Sequence, residues 1–401
     1  MSQILGIHDT ETYDAVRFKS WRRAILLAFP NGSAPLTALL SLMKSEPVDD
    51  PEHHWFEKDM PTQSANLTAA YTNTATTISV SDNVFRPGHL IKNLTSSVGE
   101  VMKVVSVSAN GLTLTVERGN YGPTAASVGS NDTIVVIGNA NSEGSGAPQS
   151  IAYSPRENYN YTQIFKTPFE VTGTALNTPV KWDPEGPWTE RMREALNLHS
   201  IEMEKSTIWG VRAKYVNSST GRIERTMGGL VSFIPASNII DANTLTPANT
   251  LKPSLWESYM EVVFRKCLNN RQEKLALCGS GFVRVFAATM QKSPGFTMNL
   301  MPKEDTFGMK LYEYVSPHGT LYFKTHPLFS QIPAWRHNCL IIDLPGLRFR
   351  PKRGRDTFRQ KNIQANDEDV RRDQFFTEAT LEVNHGDAFM LLKNFTIAGA
   401  D

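Results

Sequence analysis

Apolar positions recur along the chain with two different periods, and the change of period divides it. Over residues 12–29, Phe18, Trp21 and Ile25 fall at i, i+3 and i+7, while Lys19, Arg22 and Arg23 lie off that stripe. This spacing predicts an amphipathic helix. Pro30-Asn-Gly-Ser33 breaks it, and Ser33 as N-cap with Pro35 in the first turn opens a second short helix. Its stripe is Leu36, Leu39, Leu40 and Met43, and Glu46-Pro47 stops it. Two such helices hold too little between them for a core. The segment reads as an N-terminal arm that packs against something else.

From about residue 64 to 140 the period falls to two. Charge drops, and Thr, Ser, Asn, Gly and Val rise. Strands are predicted over Thr76–Val80, His89–Lys92, Glu100–Val107, Leu112–Glu117 and Thr133–Ile137. Ala109-Asn-Gly111 between two of them is a hairpin signal. Five strands in this stretch make a small all-β module, and Gly138–Pro148 is a flexible exit linker. The module therefore reads as an insertion.

The helical period returns over residues 189–215, with start signals at Pro187 and Thr189 and a stripe of Met192, Ala195, Leu196, His199 and Met203. A single long helix after a β-insertion reads as a structural spine. Ser254-Leu-Trp-Glu257 is a capping box opening a helix with Trp256, Met260, Val263, Phe264 and Cys267 on one face. Lys274–Cys278 reads as a buried strand, and Gly279-Ser-Gly281 turns into a helix over Phe282–Met290. Strand signals follow at Leu311–Tyr314, Leu321–Thr325 and Cys339–Leu344. Ala379–Ile397 alternates like a pair of strands about a turn at Asn384–Asp387. The expected class is α+β.

Composition narrows the function. A chain of 401 residues suggests two or three compact units. Lys and Arg number 41 against 40 Asp and Glu, a balance that argues against a dedicated nucleic-acid binder. The three cysteines (Cys267, Cys278, Cys339) exclude a disulfide scaffold and fit a reducing compartment. No apolar run approaches the roughly 20 residues of a membrane-spanning helix, and the N-terminus lacks the pattern of a secretory signal.

Candidate chemistry is sparse. Cys278-Gly-Ser-Gly-Phe282 lies between a strand and a helix, where nucleophile elbows and phosphate loops occur. It matches neither motif, and no base for Ser280 can be identified, so it reads as a tight turn that needs small residues. In Glu52-His53-His54-Trp-Phe-Glu57 the adjacent histidines of an extended segment point to opposite faces and make a poor chelate. No catalytic residue, metal site or cofactor is expected, and the chain is not expected to be an enzyme.

Arg348, Arg350, Lys352, Arg353, Arg355, Arg359 and Lys361 form a basic run broken by Asp356 alone, followed by a mixed run of Asp367, Glu368, Asp369, Arg371, Arg372 and Asp373. The pairing of signs points to complementary patches, within a subunit or between subunits. Arg348, Lys352, Arg353, Arg355, Asp367 and Asp369 are the candidates for inter-subunit contact. The alternative is a nucleic-acid-binding protein that uses 348–361.

Several phrases, in their order, carry a resemblance. They are Asn31-Gly-Ser-Ala-Pro-Leu-Thr-Ala-Leu-Leu40, Val48-Asp-Asp-Pro-Glu-His-His-Trp-Phe-Glu57, Gly99-Glu-Val-Met-Lys-Val-Val105, Leu112-Thr-Leu-Thr-Val-Glu-Arg-Gly-Asn-Tyr-Gly122, Tyr161-Thr-Gln-Ile-Phe165, Gly354-Arg-Asp-Thr357 and Asn362-Ile-Gln364. Together they resemble the tailed-phage major capsid proteins with the Johnson fold, shared with herpesvirus capsids, of a subfamily with a β-rich insertion in the N-terminal half. The resemblance implies an N-terminal arm at 1–60 and an E-loop region at 61–186 holding the β-module of about 64–140. It further implies a peripheral-domain spine helix at 187–230, an axial domain at 231–347 and a return to the peripheral domain at 348–401.

The same resemblance implies self-assembly into hexamers and pentamers of an icosahedral head enclosing double-stranded DNA. The partners would be further copies of the chain, a separate scaffolding protein, a portal, decoration proteins and non-specifically held DNA, with no membrane. The place would be the virion, and the host cytoplasm during assembly. The scaffolding protein is expected because the chain begins directly in the arm.

Overall fold

The computed structural model describes residue 36 and residues 46–96, 98–148, 150–178, 186–245, 250–268, 272–291, 301–306 and 309–396. The helices expected over 12–29 and 33–43 lie outside these residues, Leu36 excepted. The chain forms two compact units, one of Met1–Trp55 with Glu157–Asp401 and one of Phe56–Arg156. The first strand, β1 (Glu52–Glu57), carries the chain out of the larger unit.

The smaller unit is a six-stranded antiparallel sheet. Its strands are β2 (Ser64–Asn66), β3 (Thr77–Ser79), β4 (His89–Asn93), β5 (Val101–Val107), β6 (Thr113–Glu117) and β7 (Thr133–Asn139), in the order β2-β7-β4-β5-β6-β3. Five of them are the expected strands. Ser64–Asn66 is an addition, too short to show a period. A bridge between Leu67 and Val80 joins the two edges, with Thr68 N–H donating to Ser79 O at 3.0 Å, so edge groups are not left unpaired. Alternation places Ala65, Ile78, Ile91, Met102, Val104, Leu114, Val116 and Ile134 in one core. Gly111 closes the β5–β6 turn at φ +74°, a conformation that favours glycine. Beside the core, the buried carboxylate of Glu100 pairs with the buried guanidinium of Arg118.

The chain returns through β8 (Arg156–Tyr161), which pairs with β1, and enters β9 (Gln163–Thr172). Helix α1 (Pro187–Trp209) follows, with Pro187 at its first position, where its fixed φ suits a helix start. The helix ends six residues before the expected Tyr215. The reason is tertiary: a Cβ on Gly210 would lie 2.4 Å from Ser206 O and 2.5 Å from Met227 O, and a Cβ on Gly229 2.5 Å from Gly210 N. The two glycines let the backbones touch, and the chain turns off into an antiparallel hairpin, β10 (Ala213–Val216) and β11 (Ile223–Thr226). Ala195, His199 and Met203 of the expected stripe are buried, as are Glu204, Thr207 and Ile208; Leu196 is exposed.

The core sheet of the larger unit has seven strands. After β12 (Ile239–Asp241) comes helix α2 (Pro253–Arg265), then β13 (Glu273–Cys278) and helix α3 (Ser280–Gln291). Four further strands are β14 (Met301–Thr306), β15 (Met309–Ser316), β16 (Gly319–Thr325) and β17 (Cys339–Ile342), and the seventh comes from the end of the chain. The capping-box reading of Ser254 and Glu257 is corrected: α2 starts two residues earlier than a Ser254 cap would allow, at Pro253, Lys252 is the N-cap without a side-chain cap bond, and Glu257 instead accepts from Tyr314 OH at 3.1 Å. β13 shows why this region reads as continuously apolar. Leu275 and Leu277 enter one core cluster, while Ala276 and Cys278 enter another on the opposite face. Lys274 is fully buried there, its Nζ donating to Val263 O and Lys266 O at 2.7 Å and to Ala388 O at 2.6 Å. A cation at the end of α2 meets carbonyls that the helix leaves unpaired.

The last strands are β18 (Leu347–Pro351), β19 (Phe358–Gln360), β20 (Val370–Val383) and β21 (Met390–Lys393). Ala379–Ile397 was expected to form one strand pair. Instead β20 joins a second sheet with β9, β18 and β19, while β21 joins β17 and β12 in the seven-stranded sheet. His385, with left-handed backbone at φ 52°, and the turn Gly386–Ala388 send the chain from one sheet to the other. The fold is α+β, and helix α1 packs on the β9–β20 pair, where Phe169, Ala195 and Phe375 share a cluster.

Candidate functional site

The basic run of 348–361 lies along β20, and the structure shows which carboxylates meet it. β18 pairs with the C-terminal half of β20 with Arg350 opposite Thr380, and β19 pairs with its N-terminal half with Arg359 opposite Phe375. The register carries cations past Asp373, Glu378 and Glu382, three acids of β20 that are all buried. Glu378 accepts from Thr162 Oγ1 at 3.0 Å and pairs with Lys352 at 3.6 Å and Arg355 at 2.8 Å. The Arg355 guanidinium also lies 4.6 Å from the ring centre of Phe376. Asp373 accepts from Asn362 N–H at 2.9 Å and pairs with Arg359 at 2.6 Å. Glu382 accepts from Arg350 Nε, from Asn384 Nδ2 at 2.8 Å and meets His53 Nε2 at 3.0 Å.

Burial alone would push the Glu382 carboxyl up. The hydrogen bonds from His53, Asn384 and Arg350, with the Arg350 charge, outweigh it and hold the group down to about 2. The beginning of the described chain is tied into the same seam. Val48 bridges to Lys352, Arg350 reaches Glu46 at 3.1 Å and Arg353 reaches Asp49 at 2.7 Å. Arg353 and Asp49 are 70% and 71% exposed, so this last pair contributes little to folding.

Of the six candidate contact residues, Lys352 and Arg355 therefore engage Glu378 of their own chain, Arg353 engages Asp49, and Arg348 is half-buried on β18 opposite Glu382. Asp367 and Asp369 are exposed in the turn before β20. They are not the acids that meet the basic run. From the mixed segment only Asp373 does so. Sequence reasoning missed Glu378 and Glu382 because they sit in an apolar strand, and the pairing register is the signal that finds them.

The other candidates have structural explanations. A Cβ on Gly279 would lie 2.2 Å from Arg336 O, and one on Gly281 2.7 Å from the His337 ring. The turn around Ser280 is glycine-rich because another backbone segment crosses it. His53 and His54 take different carboxylates, Glu382 at 3.0 Å and Glu157 at 2.6 Å, as opposite faces of a strand require. Among the described residues no group of three or more His, Cys, Asp or Glu could hold a metal ion.

Helix α1 carries buried polar contacts of its own. His199 Nδ1 meets Thr167 Oγ1 of β9 at 2.9 Å and its Nε2 meets Thr377 Oγ1 of β20 at 2.8 Å. Burial pushes the His199 imidazole down, opposed by the charge of Glu202. Glu204 Oε1 meets His326 Nε2 at 2.8 Å and accepts from the Leu36 N–H at 2.9 Å. Loop, helix and strand are thus pinned by charge-assisted and neutral hydrogen bonds within the larger unit. These arrangements fix a framework.

The chain is similar to known proteins over most of its length. A family model described as SU10 major capsid protein matches residues 8–396. The major capsid protein of Pseudomonas phage PaMx41 is 28% identical over 364 residues, covering 89% of this chain and 84% of that one. Among solved structures, the holo-SrpI encapsulin complex of Synechococcus elongatus PCC 7942 overlays with a TM-score of 0.49 at 10% identity over 99% of both chains. A chain of Microbacterium phage Oxtober96 overlays with a TM-score of 0.48 at 10% identity, covering 96% of this chain and 98% of that one.

Proposed function

Because the chain belongs to the SU10 major capsid protein family, we propose that its work is self-assembly: copies join as hexamers and pentamers of an icosahedral phage head that encloses double-stranded DNA. The observation that carries this reading is the extent of the family match, residues 8–396 of 401. The resemblance read from the sequence phrases is met at the level of family. Residues 1–60 are assigned as arm, 61–186 as E-loop region, 187–230 as peripheral-domain spine, 231–347 as axial domain and 348–401 as the return strands. In this reading the protein acts without catalysis. It meets a scaffolding protein and a portal in the host cytoplasm, and it ends in the virion.

The electrostatics support a container rather than a DNA-gripping protein. Arg350, Lys352, Arg353, Arg355 and Arg359 all pair with carboxylates of the same chain. Little of the run is left for phosphates, so the nucleic-acid alternative is set aside. Large apolar side chains exposed on separate elements, among them Leu196 and Leu198 on α1, offer surface for neighbouring copies. Arg353, Arg355, Asp367 and Asp369 are the exposed charges among the six candidates and are assigned to such contacts. Sedimentation of the purified full chain across a concentration series tests the reading. Cooperative growth into large particles is expected, and a single small species at every concentration would overturn it.

A further inference from the structure

The hairpin that follows α1 is held by its own chain at its base, where the Lys214 ammonium lies 6.0 Å from the ring centre of Tyr161, while its tip stands clear. Among the described strands β10 and β11 pair only with each other, and all four residues of β10 are exposed. An isolated two-stranded ribbon is marginal in water. Its register places Val216 opposite Ile223, 63% and 49% exposed, and Lys214 opposite Arg225. Residues two apart share a strand face, so one face of the ribbon carries Lys214, Val216, Ile223 and Arg225 together, the first three exposed and Arg225 half-buried. Two like charges directly opposite each other are unfavourable, and an anion from outside would relieve what the Tyr161 ring beneath Lys214 does not. The carboxylate of Glu224 does not serve, since it alternates to the other face and is engaged by Tyr215 OH and Asn217 Nδ2.

An anionic patch stands at the far end of the same unit. Asp367, Glu368 and Asp369 are exposed together in the turn before β20; Glu368 is paired with Arg372 at 3.1 Å, which leaves Asp367 and Asp369 as the outward charges. The hairpin leaves beside one end of β9, where Met227 N–H donates to Gln163 Oε1 at 3.1 Å. The acidic turn backs onto the other end, where Gly173 N–H donates to Asp369 O at 3.1 Å. Ten residues of strand separate these points by about 30 Å. Helix α1 gives the same span: Trp209 leads into the hairpin, Trp188 stacks under Arg371 beside the acidic turn, and 23 residues of helix rise about 34 Å. The two patches cannot meet within one chain.

We propose that the Lys214–Val216–Ile223–Arg225 face of the hairpin docks on the Asp367–Asp369 turn of a second copy of this chain. The contact is head-to-tail, because it joins different surfaces of the two copies, and repetition of such a contact closes a ring when the rotation allows. It rests on the self-assembly reading and assigns one interface within it.

The test uses the full chain and charge reversal on each side. One variant carries Lys214→Glu and Arg225→Glu, a second carries Asp367→Lys and Asp369→Lys, and a third carries all four. Circular dichroism and thermal melting establish that each folds. Assembled fraction is read by sedimentation velocity and electron microscopy. Each one-sided variant is expected to assemble at least tenfold less than the parent. The four-fold variant, and an equimolar mixture of the one-sided variants, are expected to recover most of the loss. If the parent assembles but neither combination recovers, the pairing is wrong and the self-assembly reading stands. If the parent never assembles, both fall. If the hairpin reversal leaves assembly unchanged and abolishes binding to a DNA duplex instead, the hairpin is a nucleic-acid contact and the proposal is overturned.

Discussion

His53 Nε2 and Glu382 Oε2 lie 3.0 Å apart although 329 residues separate them along the chain. The first described strand of the larger unit is thereby held to the end of β20 by a group that must stay ionised. Glu382 is held to about 2, below its ordinary 4.5, so its stabilising contribution is complete above pH 4.5 and is lost as pH falls from there toward 2. The shift corresponds to on the order of 3 kcal/mol. Urea unfolding between pH 7 and pH 3 should show this loss, and Glu382→Gln should be less stable at pH 7 with a shallower acid slope. An unchanged acid slope in the variant would contradict the assignment.

His199 predicts a second, milder dependence of opposite origin. Its imidazole is buried between Thr167 and Thr377 and pushed below 6.5, so the unfolded chain takes up the proton first as pH falls. Stability should therefore begin to fall as pH drops below about 6.5. His199→Gln should reduce that slope between pH 7 and pH 5.5, leaving the part due to His89, which burial and the Arg86 charge also push down. Persistence of the whole slope would assign it to another group.

The glycine turn before α3 separates a steric role from a chemical one. Gly279→Ala places a methyl 2.2 Å from Arg336 O, a backbone atom that has no freedom to swing away. The cost should exceed about 3 kcal/mol in denaturant unfolding. Ser280→Ala should change stability by less than about 0.5 kcal/mol and leave particle yield unaltered. A strong effect of Ser280→Ala alone would point to chemistry at that residue.

Two neighbouring arginines should respond differently to reversal. Arg355→Glu removes one partner of the buried Glu378, which keeps Lys352 and Thr162, and adds a like charge from a half-exposed position, so a loss of about 1–3 kcal/mol in folding stability is expected. Arg353→Glu disrupts only an exposed pair with Asp49 and should cost about 1 kcal/mol or less. Assembly yield of the folded Arg353→Glu protein then reports on contact with other copies. Equal folding losses in the two variants would refute this division.

The sequence was most legible where one face of an element is wet. In the β-module Met102 and Val104 alternate with Val101, Lys103 and Val105, and the strand limits follow to within a residue or two. Legibility fails where both faces are dry. Ala379–Val383 and Met390–Leu392 are buried throughout, which erases the period of two, so nothing local tells that they belong to different sheets. The end of α1 depends on the close approach of Gly210 and Gly229, which are distant in sequence. The charged seam was half visible. Its cations form a run that composition reveals, but Glu378 and Glu382 are spaced among apolar residues and become partners only through the β18–β20 register.

Self-assembly is the central claim, and electron microscopy of the purified full chain, concentrated under conditions that favour association, tests it most directly. The account predicts closed shells in which the chain occupies both five-fold and six-fold clusters. Uniform monomers or small non-capsomeric oligomers under every condition, from protein that melts cooperatively and is therefore folded, would contradict it.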